Sequence, residues 1–420
     1  MTALRISRLR HWARIVADLS IWPLAIAVAA SAVVERAVWP ALAVALFQIA
    51  ARWLAQGSPF NRTRADKAIL GLALMSGVSL AITARMDLTA PQVARLILGM
   101  ALYYAVVDWA RTPGRLQLLY LGFVATGLLL ALGALVSVDN VNFSFLPSNL
   151  VGLSQRLVGD GINPNVMSGY LAILLPIIVG PVLFAWRELK PHLWLLLLLT
   201  VAAMPPVLLL LQSRAGIAAA ILGLAMLCAL RWRWILRIGL LTGSFLLLSL
   251  DLSAWQSAIE MFSRGGALGG LAEREELWSR AWYMIQDFFF TGVGMGLFGV
   301  VTDLLYPLFL APPGVLFHAH NLFLQVAVDL GVPGLIAYLF TLGFVITMAV
   351  RTYVELGSTN ASLRGMAAGI VASQVVLVAH GMFDAVTWGM VRPAVLVWAI
   401  WGVAAALWQL TETARSAEER

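Results

Sequence analysis

Charge is what this chain of 420 residues has least of: 12% of it is Asp, Glu, Lys or Arg, while 61% is hydrophobic. Soluble domains carry about a quarter charged residues, so an ordinary globular fold is excluded. Cysteine is nearly absent as well. Cys228 is the one thiol, so no intramolecular disulfide exists and the redox compartment is unreadable from cysteine usage. There is no internal repeat and no stretch that reads as a separate soluble domain. The chain is therefore expected to be one polytopic membrane unit over residues 1–420.

Long apolar runs fill the space that charge leaves. A helix needs about 20 apolar residues to cross a bilayer, and runs of that order recur at 15–34, 38–54, 68–84, 92–110, 116–137, 166–186, 193–211, 215–230, 234–250, 321–350, 365–388 and 391–410. The expected fold is an all-α integral membrane protein with about twelve transmembrane helices. The N-terminal "RISRLRHWAR" before an apolar run ending "AVAASA" has the outline of a signal peptide. We expect an uncleaved first span. Two long connections stand out, 138–165 and 251–320.

The net charge of +7 would suggest nucleic acid in a soluble protein. Here it fits the bias of cytoplasmic loops, and no nucleic-acid partner is expected. With the N-terminus inside, 19 of the 28 basic residues fall on the inner side. The outer side keeps nine: Arg36, Arg85, Arg95, Arg156, Arg214, Arg264, Arg274, Arg280 and Arg392. That bias puts both termini in the cytoplasm and both long connections outside.

On that outer face, "HAHNLFLQVAVDLGVPG" places His318 and His320 at the mouth of an apolar run, with a Gly-x-x-Gly stop a dozen residues on. In a helix their side chains would diverge by about 200°; in an extended approach they would point the same way. Asn321 suits the N-cap of the helix that follows. A helix N-terminus disfavours imidazolium, which keeps a neutral imidazole available as a general base. An interfacial pair bonded to water and headgroups fits the spacing equally well. Metal binding by His-x-His needs further ligands, and no Cys or Glu cluster stands nearby; no metal and no cofactor are expected.

In "LLLLQSRAGIAAA" Ser213 reads as an N-cap, which puts Arg214 in the first turn, where the helix dipole opposes a cation. Its partner is an anion, either a substrate group or a lipid phosphate. The stretch "LAEREELWSRAWYMIQDFFF" places Leu271, Leu277, Trp278, Ala281, Trp282 and Ile285 at helical spacing, with Arg274 and Arg280 among them. It predicts an amphipathic helix lying along the membrane surface. "GVGMGLFG" matches a dinucleotide fingerprint nominally, but without a βαβ context it reads as a turn. Acidic residues in the spans are few, chiefly Asp18, Asp108, Asp329 and Asp384. That scarcity counts against a proton-coupled pump.

The stretches "INPNVMSGYLAILLP", "LLLQSRAG", "EREELWSRAWYMIQDFFFTGVGMGLFG", "HAHNLFLQVAVDLGVPGLIAYL" and "AHGMFDAVTWG" occur in an order that resembles the O-antigen ligase and O-antigen polymerase superfamily. The resemblance covers roughly residues 150–390; the first five spans carry no such signature. It implies a GT-C-like membrane glycosyltransferase with a large periplasmic loop, here 251–320, in the bacterial inner membrane. Such enzymes move a glycan from undecaprenyl pyrophosphate to an acceptor hydroxyl, without metal. The family's histidine before Asn matches His320, its Ser-Arg hinge matches Arg214, and its Arg four before Trp matches Arg274. These three are the implied catalytic residues; His318, Asn321, Arg280 and Arg156 are assigned to substrate binding. The chain departs from the family pattern in "DFFFTGVG", where a proline commonly precedes the Thr-Gly turn. The leading expectation is a ligase acting on a lipid A–core acceptor. A polymerase using the same lipid-linked donor is the alternative, and a polysaccharide or lipid transporter is a third reading.

Orientation is testable directly. A cysteine at Gly266, in a Cys228→Ala background, should react with a membrane-impermeant thiol reagent in intact spheroplasts. Labelling only after permeabilisation would invert the topology and move the whole site to the other face.

Overall fold

The structure, a computed structural model, describes residues 11–137, 163–249, 271–309 and 318–419, apart from 17, 20, 189, 190, 358 and 390. Arg156 and Arg264 lie outside the described residues. Twelve helices coincide with the twelve expected spans: α1 (Ile21–Val33), α2 (Val38–Gln56), α3 (Asp66–Ile82), α4 (Met86–Trp109), α5 (Pro113–Ser137), α6 (Pro164–Ala185), α7 (Pro191–Leu210), α8 (Arg214–Arg231), α9 (Arg233–Ser249), α12 (Leu322–Leu356), α13 (Ala361–Gly381) and α14 (Val395–Glu418). Between α9 and α12 lie two further helices, α10 (Leu271–Asp287) and α11 (Phe298–Leu305). Among the described residues, nine segments are long and apolar enough to cross a membrane, and there is no strand. The chain is an all-α, multi-pass membrane protein.

Burial separates centre from periphery. In α4, α6 and α13, 83%, 78% and 72% of the apolar window is buried inside the protein, against 28% in α7 and α8. The first three form the centre; the outer faces of the others are left for lipid. The central contact is α6 against α13, where backbones nearly touch. A Cβ on Gly180 would stand 2.2 Å from the Gly365 carbonyl oxygen, and one on Gly369 would stand 2.6 Å from that of Pro176. Gly365 and Gly369 form a G-x-x-x-G pair, the small-residue spacing that lets membrane helices approach this closely.

Three expectations need correction. The Gly-x-x-Gly at 331–334 is a kink, not a stop: α12 breaks at Gly331 (φ 70°, ψ 176°) and continues through Pro333. The freed backbone is used, since the Val293 N–H donates to the Val328 carbonyl and the Val332 N–H donates to the Phe289 carbonyl, both at 2.8 Å. A side chain at 331 would collide with the backbone of Phe289 and Phe290, which requires glycine there on top of its positive φ. Second, α10 is amphipathic, but the middle of its apolar face packs on protein. Leu277, Ala281, Met284 and Ile285 are buried in one cluster with Val293, Phe298, Ala327 and Val328, while Trp282 is exposed on the other side. Third, α13 ends at Gly381, so Asp384 belongs to the connection after the span and not to the span itself. "GVGMG" is a turn as expected, with positive φ at Gly292, Gly294 and Gly296.

The kink at Gly331 therefore holds the α10–α11 layer on the first turns of α12. That layer, the N-terminus of α12 and the connection 382–391 meet at one end of the bundle.

Candidate active site

His318 and His320 approach the site through a tight turn, neither helical nor extended. His320 has φ 46°, and its backbone N–H donates to Nδ1 of His318 at 3.1 Å. Left-handed backbone at a non-glycine residue costs of order 1–3 kcal/mol and persists only where neighbours enforce it. Here the Ala319 N–H donates to Gln325 Oε1 (2.8 Å), and the Asn321 side chain accepts from the Phe323 and Leu324 N–H groups at 3.0 Å each. The result brings the two imidazoles to 4.1 Å between ring centroids. Both face one carboxylate. Asp384 Oδ1 lies 3.7 Å from His318 Nε2 and 3.6 Å from His320 Nδ1, distances long for hydrogen bonds but short for Coulombic contact.

Asn321 caps α12 as expected. Its amide also donates to the Met382 carbonyl at 3.0 Å, which ties the histidine turn to the connection bearing Asp384. It is buried, and these bonds hold its side chain within the turn. A second buried carboxylate, Asp329, fastens the same pieces from beneath. It accepts from Gln325 Nε2 (2.9 Å), Trp388 Nε1 (2.8 Å) and the Gly296 N–H (3.3 Å).

Of the assigned arginines, the three described ones fall into two groups. Arg274 sets its guanidinium 5.8 Å from the Phe383 ring centre, beside Trp278 on the same ring, with its Nε buried and unpaired. Burial lowers its pKa and the Asp384 charge opposes that; the charge of Arg214 lowers it further, so all three groups share one electrostatic site. Arg214 is exposed in the first turn of α8, whose N-cap Ser213 accepts from the Gly216 N–H. Among the described residues only two non-glycines have positive φ, Gln212 and His320. Gln212 stands two residues before Arg214, and His320 is itself one of the residues that the motifs singled out. Arg280 differs: it pairs with Glu276 at 3.5 Å and lies over Phe309, whose N–H donates to Glu276 Oε1. The structure thus gives Arg280 a role within its own layer and does not bring it to the histidines.

Sequence reasoning missed Asp384. Its signal was the motif "AHGMFDAVTWG", which sets a rare acidic residue beside a span end. Burial alone would push the Asp384 carboxyl up; His320, His318 and His380 overcome it and hold the group well below the usual carboxylate range. His318 moves the other way. Burial, followed by the nearby His320, pushes its imidazole down to about 4, against the pull of Asp384. His318 is thus neutral, with Nδ1 occupied as an acceptor and its proton on Nε2. His320 directs Nδ1 at Asp384, which leaves Nε2 for another partner.

Asp384 also changes the metal argument. His318, His320 and Asp384 offer three ligand atoms within 4.8 Å of one another, the number a catalytic divalent ion needs. The sequence reading looked for a nearby Cys or Glu cluster, and the third ligand atom comes instead from Asp384. The neighbouring charge nonetheless suits an anion better, since a dication would join Arg274 and Arg214 on one face. The helix N-termini act in the same sense. α8 presents Arg214, and α12 begins beside the histidines. α6 approaches α8 so closely that a Cβ on Gly216 would overlap Ser168. Such ends attract negative charge.

Residues 199–339 match the family model described as O-antigen ligase. The matched stretch has the O-antigen ligase pattern. It spans a third of the chain and includes Arg214, Arg274, Arg280, His318, His320 and Asn321. The resemblance stated from the motifs is borne out over that third of the chain, which supports an activity of the O-antigen ligase or polymerase type. Asp384 lies beyond the O-antigen ligase match, yet its carboxylate is what the matched histidines face. No curated protein matches the chain.

The His318 shift has a measurable consequence. Its imidazole binds a proton less readily in the fold than in the unfolded chain, so the unfolded state holds more protons between about pH 4 and 6.5. Stability therefore rises with pH across that window and is lost as pH falls through it. The full shift corresponds to roughly 3 kcal/mol. Melting in detergent should drop from about pH 7 to about pH 4.5, and His318→Gln should flatten the drop. An unchanged pH dependence in that variant would contradict a buried neutral imidazole.

Proposed function

We propose that the protein is an O-antigen ligase that transfers a glycan from undecaprenyl pyrophosphate to a hydroxyl of lipid A–core, at the periplasmic face of the inner membrane. The supporting observation is the meeting of Asp384, His320 and Arg274 at one end of the bundle, within Coulombic reach of Arg214. Both substrates are lipid-tethered, so a site at the membrane interface is where they meet. The charge bias of 19 basic residues inside against nine outside supports cytoplasmic termini.

His320 Nε2 takes the proton of the acceptor hydroxyl. Asp384, facing Nδ1, orients the ring and stabilises the imidazolium that forms. The acceptor oxygen bonds to the anomeric carbon as its bond to the pyrophosphate oxygen breaks, and the electron pair leaves with the pyrophosphate. That leaving group needs no proton. It needs cations, and Arg214 and Arg274 supply planar forks for it. Preorganised donors of this kind contribute a few kcal/mol each to the transition state. In-line attack inverts the anomeric centre. His318, its Nδ1 occupied, cannot serve as the base and instead fixes the turn that carries His320.

With purified protein and both lipid substrates, Arg214→Ala and Arg274→Ala should each nearly abolish release of undecaprenyl pyrophosphate, with poor rescue by Lys. Arg264→Ala, outside the matched motifs, should be mild. His320→Ala should lose at least about 10²-fold, His318→Ala clearly less. Chelation should leave the rate unchanged; its loss would turn the His–His–Asp group into a metal centre. Equal losses at all three arginines would reduce their role to general attraction. A deletion strain should make bare core while carrier-linked chains accumulate; core bearing a single repeat would instead indicate a polymerase.

A further inference from the structure

Two opposite charges act on one another at this end of the bundle without pairing. Arg274, near the start of α10, has neither a hydrogen-bond partner nor an ion-pair partner among the described residues, and its Nε is buried. Asp384 is the strongest charge acting on it, ahead of Arg214 and Glu273. Glu273 precedes it on the helix, and consecutive helical residues do not face each other. Asp384 is therefore the carboxylate open to it. That carboxylate is turned inward, its Oδ1 accepting from the Ala385 N–H at 2.8 Å and facing both histidines. Opposite charges that meet in a buried site ordinarily join in charge-assisted hydrogen bonds. Here they do not.

Phe383 is placed to keep them apart. It directly precedes Asp384, yet the two side chains go different ways: the ring is 40% exposed and the carboxylate 4%. The Arg274 guanidinium lies over that ring, 5.8 Å from its centre, inside the range of a cation–π contact. Trp278, four residues on and on the same face of α10, meets the same ring with centroids 6.5 Å apart. The backbone beneath is fixed as well. The Phe383 N–H donates to the His380 carbonyl at 2.9 Å, and the Met382 carbonyl accepts from the Asn321 amide. The guanidinium is thus seated on the exposed side chain of this connection, while the carboxylate points to its buried side.

Resting on the transfer reading above, we propose that Phe383 is a positioning residue that holds the Arg274 guanidinium away from Asp384, so that neither charge neutralises the other. Both tasks in that reading need the separation. Arg274 keeps its donors for the pyrophosphate, and Asp384 keeps its charge for His320. An aliphatic side chain of similar size fills the same space but offers no π face, so the guanidinium leaves it for the carboxylate. The anionic donor must then displace Asp384 before it binds.

The test uses purified protein in detergent, each variant checked for wild-type melting. Phe383→Leu should raise the donor KM at least about tenfold, the scale of one charge-assisted hydrogen bond that the donor must displace. Phe383→Tyr, which keeps the ring, should stay within about twofold of the wild type. In an Asp384→Asn background no carboxylate remains to capture the guanidinium, so Phe383→Leu should there move the donor KM less than about twofold. An equal rise in both backgrounds, an unchanged KM in Phe383→Leu, or an equal rise in Phe383→Tyr overturns the proposal. A second measurement needs no turnover: the rate at which phenylglyoxal modifies Arg274, read from the α10 peptide by mass spectrometry. Pairing shields the guanidinium, so Phe383→Leu should slow the modification and adding Asp384→Asn should restore it. That pattern supports the positioning role even if the transfer reading fails. Faster or unchanged modification in Phe383→Leu, the result expected of a ring that merely covers the arginine, overturns it. So does slowing that Asp384→Asn leaves in place.

Discussion

A carboxylate buried to 4% exposure needs positive or hydrogen-bonding partners close by, because leaving its charge unpaired in such a place is costly. Asp384 is that group, and the shape of the site follows from meeting its needs. His318 and His320 both turn towards it, which only a left-handed residue at 320 permits. The left-handed turn in turn requires Gln325 to hold the Ala319 N–H, and Asn321 to cap α12 while bonding to Met382. Arg274 completes the surroundings through its contact with Phe383, one residue from the carboxylate. Removing any of these partners strains the others.

Chemical roles divide accordingly. The two imidazoles are equivalent in sequence, separated by one alanine, and yet the structure makes them unlike. His318 accepts a backbone N–H at Nδ1 and is held neutral by burial; His320 points Nδ1 at Asp384, which leaves Nε2 for another partner. Arg274 and Arg214 share the electrostatic site of the carboxylate that the pair faces. On the reading proposed above, a base beside two guanidiniums is the arrangement that glycosyl transfer from a pyrophosphate carrier needs.

Much of this could be read without coordinates. Apolar run length placed twelve helices, nine of them long and apolar enough to cross a membrane, because in a bilayer the backbone has no alternative to closing its own hydrogen bonds. Local signals did equally well: Ser213 and Asn321 are N-caps, and the glycines of "GVGMG" form a turn. Long-range partners were not legible. Asp384 meets histidines 64 and 66 residues earlier, and Asp329 accepts from a tryptophan 59 residues later. Neither pairing has a periodicity or spacing that announces it. Periodicity also could not say what α10 buries its apolar face against, since protein and lipid favour the same residues. Arg280 shows the same limit, because a positive charge near a site looks alike whether it meets substrate or Glu276.

The central claim is that Asp384 acts through His320. A double-mutant cycle measures it: initial rates of undecaprenyl pyrophosphate release for Asp384→Asn, His320→Ala and the double variant, each checked for wild-type melting. Asp384→Asn should cost at least about tenfold in the wild-type background and little once His320 is gone, because interacting residues are not additive. The same fold loss in both backgrounds would show that the carboxylate and the imidazole work independently, and would contradict the account.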